Sequence, residues 1–348
     1  MDKDADKSTK VAEKERGIST IIFDALSIDS LLRNDVAERY LLSGVTATNM
    51  SIILEHDWES SIRNLDRALT AIDRSPLLMQ ATNSSDIYSA QKANKLAVVL
   101  GSQGASFLDG HNVDQTHRLR TLARLGLRFF GLVYTSRNLL GDGCGEKLDG
   151  GLTFLGEDII HAANEFPLAI DISHCSHATR LAAAALARVP VCTHSNAFSL
   201  VPNPRNVKDE CIKTIANRQG VIGVAALPKI VATQNPTIED LVSHIEYLLS
   251  CVGPNHVGLG LDFVEKSNSE SLKFPSTSRW RALRPDIFGD VGSFGVNPYP
   301  EGISSITSLP ALRVRLVERG HPSLVIDQIM GLNWLRVLDQ ANASGAKA

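Results

Sequence analysis

Two histidines and one aspartate stand where this sequence could do chemistry. His174 ends the run LAIDISH, His194 ends VPVCTH, and Asp262 ends HVGLGLD. Each follows a short β-rich stretch, so each falls at the C-terminal end of a strand. A lone histidine at a strand end is ordinarily a hydrogen-bonded packing residue. Two on successive strands, with a carboxylate on a later one, have the makeup of a catalytic metal site with a position open for water. Such a site lowers the pKa of bound water to about 7 or polarises a carbonyl. Other polar groups say less. Glu55-His56-Asp57 follows an earlier strand and reads as a solvated loop at the same end. Gly141–Glu146 is glycine-rich but is no phosphate loop, and reads as a flexible connection. Cys175 and Cys192 flank the histidines and read as small buried packing residues.

The elements that must position these groups alternate regularly. Strand-like runs occupy 21–26, 44–52, 96–103, 128–134, 168–173, 189–195, 220–227 and 256–263. Between them lie helix-like stretches with apolar residues at i, i+3 and i+4, such as DQTHRLRTLARLG, EDIIHAANE, ATRLAAAALARV and TIEDLVSHIEYLLSCVG. Strands alternating with amphipathic helices imply parallel βαβ units. Eight of them within 21–263 predict a (β/α)8 TIM barrel, a fold of roughly 250 residues whose chemistry sits at the C-terminal strand ends. A doubly wound sheet is the other arrangement of eight such strands. Two further helices, in ITSLPALRVRLVERG and PSLVIDQIMGLNWLRVLDQ, form a C-terminal helical extension. The single barrel domain then covers 18–340, with a disordered charged leader over 1–17 and a flexible tail over 341–348. Residues 264–303, rich in Ser, Pro, Gly and Arg, form a long loop that reads as a lid or an interface arm.

Composition removes several classes of function. The chain has 348 residues, 43% apolar and 21% charged, with 35 basic against 38 acidic residues and a net charge of −3. That balance argues against a nucleic-acid or anionic-membrane partner. No apolar run of spanning length and no secretion signal is present, which points to the cytoplasm. Five scattered cysteines without a CxxC pair read as reduced thiols.

With Asp171-Ile-Ser173-His174, His194-Ser-Asn and Pro204-Arg205-Asn206-x-x-Asp209 on the page, the sequence resembles the renal or membrane dipeptidases. These are zinc-dependent (β/α)8 hydrolases of the wider amidohydrolase group, and the likeness runs from about residue 20 to about 340. The resemblance implies that His174 and His194 are metal ligands and that Asp262 is the acid/base for the scissile amide. It also implies that Arg205 and Asn206 bind the substrate, with Arg205 gripping its carboxylate through a planar fork of donors. Departures from the family pattern are as specific as the matches. The H-x-D pair that opens strand one is replaced by Leu26 and Ile28, the bridging glutamate by Gln103, and a substrate-orienting histidine by Tyr134. Apolar side chains cannot hold a metal, and a carboxamide is a poor zinc ligand. The altered polar positions surround the first metal; the second-metal histidines remain. The similarity is greatest to a bacterial branch of the family in which Gln and Tyr recur at these places.

One zinc per chain, or none, follows from this pattern. Three functions are open. The first is a mononuclear metal hydrolase of a dipeptide or dipeptide-like small molecule with a free carboxylate, in which Asp262 handles the proton and Tyr134 binds substrate and donates to the oxyanion. The second is a metal-free tautomerase or lyase of a carboxylate-bearing metabolite. The third is a catalytically inactive binding homologue that keeps the clamp. A homodimer built on the 264–303 loop, with Trp280, and on the closing helices is also expected.

Overall fold

The computed structural model describes residues 20–110, 115–265, 279–289 and 299–345. The expected leader, and much of the 264–303 loop, lie outside the described residues. Among the described residues there are nine parallel strands: β1 (Phe23–Ser27), β2 (Ala47–Ile53), β3 (Leu78–Gln80), β4 (Leu96–Ser102), β5 (Leu127–Gly131), β6 (Ala169–Asp171), β7 (Pro190–Val191), β8 (Ile222–Val224) and β9 (Val257–Leu259). Their order is β7-β6-β5-β4-β2-β1-β9-β8, and a Cys192–Ile222 bridge joins the two ends. Eight strands thus close a (β/α)8 barrel. Every residue of β2 and β4 is buried, as expected for parallel strands covered on both faces.

β3 is the strand that the sequence pattern did not announce. It pairs with the first half of β4, from Leu78–Leu96 to Gln80–Val98, whereas β5 takes over further along at Leu100–Leu127. It widens the barrel's lower rim without joining the ring.

The C-terminal extension plugs the floor. The run from Ser323 is interrupted: a helix over Ser323–Asp327 passes into a π-turn over Gln328–Leu332 and then a helix over Asn333–Gly345. The widening falls where the chain crosses the first strand's approach, since a Cβ on Gly331 would lie 2.6 Å from the Ile21 carbonyl oxygen. It delivers Trp334 into the barrel. The ring is fully buried, 6.2 Å from Phe23 and edge-on to Phe129 at 5.8 Å, and its indole N–H donates to the Leu259 carbonyl at 3.0 Å. Truncating such a ring costs about 3–5 kcal/mol.

At the opposite end, the described part of the 264–303 loop folds back on the mouth. The helices Arg279–Leu283 and Pro285–Phe288 bring Trp280 against Gly145 and let Arg284 donate to the Gly145 carbonyl at 2.8 Å. Asn203 ties the second helix down through the Ile287 carbonyl at 3.0 Å. The Gly141–Glu146 segment is likewise held rather than loose. Gly141 bridges to Leu152 and Gly143 to Cys175, while Arg137 grips buried Asp142 with both Nε and Nη2.

Candidate active site

The chain leaving β6 carries His174 and the chain leaving β7 carries His194. Their Nε2 atoms lie 2.9 Å apart, with both rings buried. Threonine hydroxyls hold the far nitrogens. Thr135 Oγ1 lies 3.0 Å from His174 Nδ1, and Thr193 Oγ1 lies 2.7 Å from His194 Nδ1. The Thr193 hydroxyl donates to Asp171 Oδ2 at 2.5 Å, so its oxygen is left to accept the His194 Nδ1–H. His194 therefore turns an unprotonated Nε2 toward the Nε2 of His174. Asp171 is itself saturated, its Oδ1 accepting the Ser173 hydroxyl at 2.5 Å and the amides of Ser173 and Thr193 at 3.0 and 3.1 Å. Burial raises its carboxyl above the usual range against these bonds. Burial, and then the nearby Arg205 guanidinium, hold both histidines well below the usual imidazole range. Both are neutral at pH 7, the form that binds a metal.

Glycine lets the last strands approach this point. A Cβ on Gly223 would lie 2.0 Å from the Thr193 carbonyl oxygen, and one on Gly260 only 1.7 Å from it. Any side chain at either place would push β8 or β9 off the His194 strand.

Arg205 is fully buried directly behind the pair. One Nη donates to the Ser173 carbonyl and the other to the His194 carbonyl at 3.1 Å, while Nε has no hydrogen-bond partner. The guanidinium thus straps the two histidine-bearing turns together and keeps an unused buried donor. Asn206 is taken up by backbone: its amide donates to the Val201 and Ile230 carbonyls at 2.9 Å each and accepts the Asn196 amide at 3.2 Å. Its part is to shape the turn that carries Arg205. Sequence reading missed a second buried cation, Arg180, which donates to the carbonyls of Ile172, Asn206 and Ser173 at 2.9–3.2 Å. The available signal is an arginine set directly before the apolar stretch LAAAAL.

The remaining expected residues line the other side. The Tyr134 ring packs 4.4 Å from His174, and burial, with Asp262 next, holds its hydroxyl well above the ordinary tyrosine range. It stays protonated and can donate. Asp262 is half-buried in a left-handed turn after β9, with φ of +57°. Gln103 donates to the Ser51 hydroxyl at 3.0 Å. Leu26 is buried, and Ile28 is half-buried at the start of a short 3-10 turn. Of Glu55-His56-Asp57, Glu55 alone turns to the mouth, where it accepts from Ser136; His56 accepts the Leu54 amide and Asp57 caps the helix Trp58–Arg74.

The donor set fits a metal in one half only. The two imidazole nitrogens converge as ligands would, but among the described residues no third His, Cys, Asp or Glu joins them. Leu26, Ile28 and Gln103 offer nothing for a first metal.

A profile of the membrane dipeptidase family, peptidase family M19, matches residues 38–280. The chain belongs to the membrane dipeptidase family. It is a hydrolase of that metallopeptidase family, and the barrel is the family's fold. Dipeptidase verJ of Clonostachys rogersoniana is 26% identical over 303 residues, 85% of this chain and 69% of that one. An uncharacterised protein encoded 5′ of pqqA in Klebsiella pneumoniae is 30% identical over 268 residues, 74% and 86% of the two chains. The crystal structure of an amidohydrolase from Pseudomonas aeruginosa superposes with a TM-score of 0.81 at 28% identity, over 92% of this chain and 96% of that one. As in Sequence analysis, no spanning segment is found: no helix among the described residues is long and apolar enough to cross a membrane.

Proposed function

We propose that this family member hydrolyses the amide bond of a dipeptide or dipeptide-like small molecule with a free carboxylate, at a metal site reduced to its second half. The observation that carries the reading is the neutral His174–His194 pair, fixed through its Nδ1 atoms and backed by a guanidinium with one unused donor. His174 and His194 would hold one divalent metal, zinc by the family's chemistry, which when bound polarises a carbonyl and makes water more acidic. Arg205 receives the substrate carboxylate, giving the buried Nε–H the acceptor it lacks. Tyr134, protonated and beside His174, donates to the oxygen that gains charge as the amide is attacked. Asp262, whose charge is felt at Tyr134, takes the proton of the attacking water and returns it to the leaving nitrogen. Named dipeptidases among the relatives support this substrate class.

The missing third ligand favours one other reading, metal-free proton transfer on a carboxylate-bearing metabolite by Asp262 and Tyr134. Metal content of the protein purified without chelator, read beside the His174→Ala/His194→Ala variant and a panel of dipeptides, separates the two. About one metal per chain, lost together with dipeptide cleavage in the variant, is expected. A metal-free protein that stays inert to dipeptides after zinc is offered overturns the hydrolase reading.

A further inference from the structure

β1 carries a carboxyl at a point where its neighbours are apolar. Asp24 is fully buried; its Oδ1 accepts the Leu261 amide at 2.8 Å and, more weakly, the Leu26 amide at 3.5 Å. Its Oδ2 is buried and has no hydrogen-bond partner. A carboxylate cannot leave an oxygen bare in a low-dielectric interior without a large penalty, whereas a carboxylic acid can.

The groups around it press the same way. Tyr40 faces Asp24 from the helix Asn34–Leu42, Asp262 and Glu265 from the chain leaving β9, and Tyr299 reaches the same cluster, where its hydroxyl donates to the Asp262 carbonyl at 3.1 Å. Arg39, on the Tyr40 helix, lies 3.5 Å from Glu265, which also accepts the Ile306 amide at 2.6 Å. Two of these neighbours are carboxyls, so charging Asp24 adds a like charge to a buried cluster. Burial first, and Asp262 and Glu265 after it, push the Asp24 carboxyl up to about 7.

Leu261 immediately precedes Asp262, and Asp262 holds a left-handed backbone that a residue with a Cβ adopts only when its surroundings enforce it. The Leu261 N–H to Asp24 bond is one such restraint. We propose that Asp24 is a proton-holding positioning residue for Asp262: as a neutral acid it pins the turn that presents Asp262 to the mouth, and on ionising it opposes Asp262's charge, so that Asp262 holds more tightly the proton it must give to the leaving nitrogen. This rests on the role given to Asp262 above.

The test needs no substrate to begin. Asp24→Asn keeps the acceptor and the shape but cannot ionise. A group whose folded pKa is raised stabilises the fold fully below its unfolded value, 3.8, and that gain is lost as pH rises through about 7. Melting temperatures of the full chain across about pH 5–9 should therefore fall for the wild type relative to Asp24→Asn, the gap widening up to about pH 7 and holding above it, so that the variant melts higher at the alkaline end. Asp262→Asn should move the midpoint of the wild-type fall to lower pH, because it removes a like charge. Parallel curves for wild type and Asp24→Asn, or an unmoved midpoint in Asp262→Asn, overturn the proposal. Should Asp24→Asn not fold, the carbonyl infrared band of a buried carboxylic acid in the wild type decides instead: it must bleach as pH passes 7, and a band already absent at pH 5 refutes the assignment. With a cleaved dipeptide in hand, Asp24→Asn should flatten the alkaline limb of kcat and leave KM unchanged. If no dipeptide is cleaved, the hydrolase reading fails while the melting curves still judge the coupling.

Discussion

The mouth of this barrel has two unlike halves. Where β6 and β7 end, the two histidines and the groups behind them are braced against one another. His194 leans on Thr193, Thr193 on Asp171, and two buried arginines knit the turns through backbone carbonyls. Where β1 and β4 end, the positions at which the family resemblance expects a first metal's ligands carry Leu26, Ile28 and a Gln103 whose side chain, among the described residues, bonds Ser51. An eroding site loses its expensive parts first, since buried cations and unpartnered donors cost stability without return once nothing binds them. Here the expensive half is the one kept. That contrast is what the proposed function expects of a site that uses one half and has neutral groups in the other.

The comparison can be broken at its strongest point. Replacing both histidines by alanine should lower kcat/KM by about a thousandfold or more, the several kcal/mol that a metal centre supplies, and should empty the metal from the protein. Retained turnover would show that the braced half is scaffolding. Arg205→Lys comes next: a single ammonium cannot both strap the Ser173 and His194 carbonyls and meet a carboxylate. KM should rise by roughly one to two orders of magnitude, with a lower melting temperature, in steady-state assays against amidated and free-acid substrates. An amidated substrate affected equally would remove Arg205 from carboxylate binding. Thr193→Val cuts the Asp171–His194 link; metal affinity should fall about 10- to 100-fold by competition with a chelator, and stability by about 1–3 kcal/mol from the stranded Asp171 oxygen. The smallest effect belongs to the other half. Gln103→Glu supplies the carboxylate that the family resemblance expects there, yet metal content should stay at about one per chain, and a second bound ion would show the first site to be only one residue from recovery.

How much of this was legible depends on length and on range. The eight barrel strands announce themselves because parallel strands buried on both faces must be continuous β-rich apolar runs. β3 does not, as Leu78–Gln80 is too short to carry a period. The histidines and Asp262 are visible as polar residues at strand ends, and Arg205 only through the family resemblance. Their braces are not. Thr135, Thr193 and Arg180 are unremarkable in sequence, Asp171 stands out only as a motif residue and not as a brace, and only the ring of strands brings Thr135 to His174 across 39 positions. Asn206 reads as a substrate contact beside Arg205 but is used up by the Val201 and Ile230 carbonyls. Asp24 reads as a polar residue near a strand end, and its buried, half-bonded state is a property of packing against the β9 exit.

Trp334 gives the molecule a particular birth order. The ring that seals the barrel floor is contributed by almost the last helix, yet it packs on Phe23 from the first strand. A nascent chain can assemble half-barrels as it emerges, but their lower ends stay greasy and open until that helix clears the ribosome. A premature stop codon just upstream of Trp334 would leave every strand of the ring in place with no bottom beneath them.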